Sequence, residues 1–117
     1  MKSPVLNQIG TVFVPVSNVE KARDWYCSIL GVEPQGEIQF GHIYVLPMQG
    51  TGAVLDSKIY REGEATKAPL FHFNAEDIKT AHAFIKEKGA AQQSDIQHDH
   101  YFTFQDPDGN TLMVCKC

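Results

Sequence analysis

Residues 9–16, Ile-Gly-Thr-Val-Phe-Val-Pro-Val, concentrate β-branched and aromatic side chains and predict a strand. The apolar period then changes. Ser17-Asn18 offers a helix N-cap, and Val19, Ala22, Trp25 or Tyr26, and Ile29-Leu30 recur at helical spacing until Gly31 supplies a stop. A helix is predicted over 19–30. Short strands follow around 36–40, 42–48 and 53–59, punctuated by Gly36, Gly41, Gly50 and Gly52. Tyr60–Pro69 is charged and aperiodic and reads as a linker. Beyond it, Leu70-Phe71-His72-Phe73-Asn74 predicts a strand, Glu76-Asp77 caps a helix over 78–88 that ends at Gly89, and extended pieces follow at 91–96, 101–105 and 111–116. Asp106-Pro107-Asp108-Gly109-Asn110 joins the last two as a tight turn.

The order is strand, helix, three strands, linker, strand, helix, three strands. A shift of 59 positions sets Asn18 on Asp77, Val19 on Ile78, Ala22 on Ala81 and Trp25 on Phe84, with Gly31 one position off Gly89. Element order and shift together predict two copies of one βαβββ unit. Module one spans about 7–59, the linker about 60–69 and module two about 70–116, within a single domain covering 1–117.

Composition narrows the function. At 117 residues, with 43% hydrophobic and 21% charged residues, the chain reads as one globular domain with a core of its own. A net charge of −4 and the lack of any Lys/Arg cluster argue against nucleic acid. No apolar run approaches the ~20 residues of a membrane span, and Met1 to Gly10 lacks the pattern of a secretory signal. Three cysteines, Cys27, Cys115 and Cys117, fit a reduced cytoplasmic protein better than a disulfide framework.

Three segments, in this order and spacing, carry a family resemblance: Val16-Ser17-Asn18-Val19-Glu20-Lys21-Ala22, then Trp25-Tyr26 with Leu30-Gly31, and Phe104-Gln105-Asp106-Pro107-Asp108-Gly109-Asn110. Over about residues 7–116 the chain resembles the vicinal oxygen chelate superfamily of glyoxalase I, fosfomycin-resistance thiol transferases, extradiol dioxygenases and bleomycin-resistance proteins. The resemblance implies an α+β fold in which two βαβββ modules form a cupped mixed sheet with the helices outside. The cup holds a small ligand and, in the enzymes, a divalent metal. Small two-module members commonly pair, so a homodimer is implied as well, with the linker permitting module exchange.

Strand alternation then sorts the side chains. With Val12, Val14 and Val16 under the first helix, Thr11 and Phe13 point into the cup. Phe71, Phe73, Phe102, Phe104, Leu112 and Val114 go under, which leaves Leu70, His72, Asn74, Tyr101, Thr103, Gln105, Thr111, Met113 and Cys115 inward. Val54 and Asp56 join them, and His42 and Tyr44 complete the wall, although His42 is equally readable as a solvent-exposed strand start.

Carried onto this chain, the family's metal positions read poorly. Thr11 stands for the first His or Gln, Leu70 for the second His and Met113 for the closing Glu; only Asp56 keeps a carboxylate. Leucine does not coordinate and a thioether is a poor partner for Mg, Mn, Ni or Zn. No cofactor is expected and a divalent metal is disfavoured. A slip of two residues in the second module would put His72 at a ligand position, and Asp56 with His72 would then be the metal or acid–base pair. The expected function is metal-independent binding, in which a cup lined by Phe13, Tyr44, Tyr101, Leu70 and Met113, with polar points at Thr11, His42, Asp56, His72 and Thr103, sequesters a small aromatic or amphipathic compound. The alternative is an enzyme of the lyase, isomerase or thiol-transferase kind acting on a small metabolite or antibiotic. The pairs His98/His100 and Cys115/Cys117 have metal-capturing spacing, but a solvated loop and a frayed terminus are the readings preferred for them.

Overall fold

A computed structural model of the chain describes residues 2–116. Its elements run β1 (Thr11–Pro15), α1 (Val19–Leu30), β2 (Ile43–Val45), β3 (Gly52–Asp56), β4 (Phe73–Asn74), α2 (Ile78–Glu87), β5 (Tyr101–Gln105) and β6 (Thr111–Cys115). The fold is α+β, built as two mixed three-stranded sheets ordered β1-β3-β2 and β4-β6-β5. In each, the first strand lies parallel to the last, and the last lies antiparallel to the strand before it.

Both helices start where the caps place them. Asn18 Oδ1 accepts from the Lys21 N–H at 3.0 Å, and Asp77 Oδ1 accepts from Lys79 and Thr80. α1 ends on Gly31, whose φ of 67° is left-handed and lets its N–H and that of Val32 reach back to Ser28 and Cys27.

The second strand expected in each module does not form. Residues 36–40 contribute one bridge, Gln39 to Ile43, and residues 91–96 contribute Ala91 to Gln105. Gly36, left-handed at φ 74°, and Phe40, left-handed at φ 53°, break the extended run at both ends of the first segment. The second follows β5 through isolated bonds such as Ser94 N–H to Thr103 O, without a continuous ladder. The predicted strand 70–74 shrinks to Phe73–Asn74.

The core lies between the helices and one face of each sheet. Val14, Val16, Tyr26, Tyr44 and Leu55 fill it from the first half, and Phe102, Phe104, Leu112 and Val114 from the second. Trp25 leans on Phe104, with ring centroids 6.3 Å apart, and so ties α1 to the C-terminal sheet.

The Asp106–Asn110 turn is the polar clasp of the two halves. Asp106 accepts from the Tyr26 hydroxyl at 2.6 Å, from the backbone N–H groups of Asp108 and Asn110, and from Asn110 Nδ2. Asn110 Nδ2 also donates to Pro15 O at the end of β1, and Asp108 accepts from the Ser17 N–H. The turn residues that the resemblance rests on thus bind the start of α1 to the last hairpin.

Candidate functional site

The face of the N-terminal sheet turned away from the core follows from the register. Thr11 lies beside Gly52; Phe13, Val54 and Val45 form the next row; Pro15, Asp56 and Ile43 form the third. Phe13 is 61% exposed and Val45, across the buried Val54 from it, is exposed too, so an apolar strip lies open on this face. The strands approach closely at Gly52: a Cβ would stand 3.2 Å from Thr11 Oγ1 and 3.3 Å from Gly10 O, a tight fit.

Asp56 closes the strip as its polar end. The residue is buried at 7% exposure, and Oδ1 accepts from the Lys58 N–H at 2.9 Å and meets His42 Nδ1 at 2.7 Å. An ionised carboxylate has no hydrogen to give, so Nδ1 carries the proton of this bond. Burial alone would raise the Asp56 carboxyl, but the His42 and Lys58 N–H groups, together with the electrostatic attraction of those two side chains, hold it below the usual carboxylate value. A turn places His42 there. Phe40 and Gly41 are both left-handed, at φ 53° and 75°, so the chain reverses tightly and His42 enters β2 just before Ile43, the neighbour of Asp56.

The C-terminal sheet repeats this register. Tyr101 pairs with Cys115 as Ile43 pairs with Asp56, and Thr103 pairs with Met113 as Val45 pairs with Val54. The left-handed turn recurs at His98 and Asp99, which makes His100 the counterpart of His42. Its Nδ1 instead donates to His98 O. Cys117 lies outside the described residues.

The expected wall is therefore placed in part. Thr11, Phe13, Val54 and Asp56 share one face of the N-terminal sheet, and Tyr101, Thr103 and Met113 share one face of the C-terminal sheet. Tyr44 is a correction. It lies on the core side at 1% exposure, its hydroxyl donating to Gln35 O and accepting from Gln35 N–H, because β2 starts at Ile43 and alternation from there turns residue 44 inward. Leu70 precedes β4 and is 77% exposed, outside any strand. His72 is exposed too, and its Nδ1 lies 3.4 Å from Phe73 O. The imidazole partner of Asp56 is His42, not His72. Alternation along the strand does not reveal this pairing, because the turn before β2, and not the strand, brings His42 to Asp56.

The donor set does not fit the divalent metal that the family resemblance implies. One Asp56 oxygen is already shared by two N–H groups, Val54 and Met113 occupy equivalent positions in the repeat, and Leu70 stands apart from the strands. Among the described residues, no three His, Cys, Asp or Glu side chains converge to hold an ion. Among the described residues, too, no helix is long and apolar enough to cross a membrane.

Several solved structures share this fold. An antibiotic-binding protein from Streptomyces sp. CB03234 superposes with a TM-score of 0.72 at 21% identity, covering 97% of this chain and 98% of that one. A lactoylglutathione lyase from Agrobacterium tumefaciens gives a TM-score of 0.67 at 15% identity, over 95% and 94% of the two chains. A glyoxalase/bleomycin resistance protein from Catenulispora acidiphila gives 0.62 at 25% identity, over 95% and 97%. No curated protein matches the sequence significantly. A binder and a lyase on one backbone leave the fold silent on activity. The sequence profile of the Glyoxalase/Bleomycin resistance protein/Dioxygenase superfamily matches residues 8–114, and the chain belongs to that family.

Proposed function

We propose that this protein is a cytoplasmic, metal-independent binder that sequesters a small aromatic or amphipathic compound and does no chemistry on it. The observation that carries the reading is the open strip of Phe13 and Val45, bordered by Thr11 and ending in the His42–Asp56 pair. An apolar wall with few, fixed polar points suits such a ligand, and the antibiotic-binding neighbour supports it. Thr103, Met113 and Tyr101 supply the opposing wall in a homodimer, where the open apolar face is covered and the cup completed. The net charge of −4 favours a cationic ligand through its long-range field.

The test is a thermal-shift screen of aromatic antibiotics and amphipathic metabolites on protein purified without a metal-binding tag, with mass spectrometry of each recovered hit. A binder raises the melting temperature and returns its ligand unchanged. A consumed ligand, or stoichiometric Ni, Zn, Mn or Fe in the purified protein, overturns the reading. Such a result favours an enzyme of the lyase, isomerase or thiol-transferase kind, for which the His42–Asp56 pair is the specific observation.

A further inference from the structure

Two halves of the His42–Asp56 pair differ in access. The carboxylate side chain keeps 10% of its surface and the imidazole 25%. Nδ1 is committed to Asp56, and among the described residues no group donates to Nε2. An imidazole held with its hydrogen on Nδ1 presents a lone pair at Nε2, an acceptor fixed in tautomer by the carboxylate behind it. Asp56 sits one row from Phe13, Val54 and Val45 on the same face. Two residues along a strand span about 6.6 Å, the reach of one aromatic ring.

We infer that His42, oriented by Asp56, recognises a phenol-type hydroxyl: the ligand O–H donates to Nε2 while its ring lies on Phe13 and Val45. His42 is then the specificity residue and Asp56 the positioning residue. The inference rests on the binding function proposed above and narrows its ligand class.

The test compares 2-naphthol with its methyl ether, 2-methoxynaphthalene, by fluorescence titration of the full chain at pH 8. The ether keeps the ring and lacks the donor. Wild type binds the naphthol roughly five-fold more tightly, the worth of one net hydrogen bond. His42→Phe removes the preference while still binding both. Asp56→Leu removes the oxygen that holds the hydrogen on Nδ1, so the ring reverts to the Nε2–H tautomer that a free imidazole side chain favours; the preference again disappears. Circular dichroism checks that each variant is folded, and either variant alone decides the matter if the other does not fold. Equal binding of both compounds by wild type, or a preference that survives in a folded variant, overturns the inference and leaves the binding function standing. Failure of wild type to bind either compound overturns the inference as well; the wider ligand screen then decides the binding function.

Discussion

The hydroxyl of Tyr26, in the middle of α1, donates to Asp106 Oδ2 at 2.6 Å across 80 residues of sequence, and both side chains are buried. Burial first, then the facing Asp106 carboxylate, pushes the Tyr26 phenol well above its ordinary value, so it stays protonated as the donor throughout the working pH range. Tyr26→Phe should cost about 2 kcal/mol, the range for a hydrogen bond to a charged group. Asp106→Ala strands the Tyr26 hydroxyl and two backbone N–H groups together and takes one of the two partners of Asn110 Nδ2, and should cost about 3–5 kcal/mol. Urea unfolding measures both. Equal costs for the two variants would show that the turn is not the clasp described.

Acid should weaken the fold through Asp56. Its folded value lies below the unfolded one, so the ionised form is the one the fold favours. That stabilisation is complete above the ordinary carboxylate range and is lost as pH falls through the folded value, that is, below about pH 4. The cap residue Asp77, lowered by the Thr80 and Lys79 N–H groups, acts with the same sign. Denaturation of wild type and Asp56→Asn at neutral and acid pH checks this. The stability gap between them should narrow toward acid, and a constant gap counts against the assignment.

Divalent metal should do nothing to the melting temperature. Titration with Ni, Zn or Mn, and then with chelator, is expected to leave the transition in place in wild type and Asp56→Ala alike. A metal-dependent rise that Asp56→Ala abolishes would restore the metal reading.

Phe13 gives a test of assembly. Light scattering should find a particle of twice the 13.1 kDa chain mass. Phe13→Asp should shift it toward the monomer while changing chain stability by less than about 1 kcal/mol, since the ring is mostly in solvent within one chain. A monomeric wild type removes the homodimer and the two-chain cup together.

Much of this architecture is legible in the residues. Asn18, Gly31 and Asp77 mark helix ends by backbone chemistry that acts locally, and both helices start where those residues place them. The β5–β6 hairpin follows from Asp106–Asn110 and from the alternation of Phe102, Phe104, Leu112 and Val114. What could not be read is what long-range pairing decides. Residues 36–40 and 91–96 have strand-like composition yet meet only single bridges, so their ladders do not close. On the candidate site, alternation puts Thr11, Phe13 and Asp56 on one face, but it groups His42 with Tyr44. A left-handed turn at Phe40, a residue with no composition cue for that geometry, ends the alternation there.

The clasp at Asp106–Asn110 also governs how the molecule comes together in time. Its bonds to Tyr26, Ser17 and Pro15 join residues 80, 91 and 95 positions apart. Loop closure of that length must precede any gain from these contacts. The first half therefore reaches its final form only after the last hairpin has docked, and intermediates with one finished half should be sparse. Folding of this chain should therefore be slow for its size, and a single unfolding transition should report on both sheets at once.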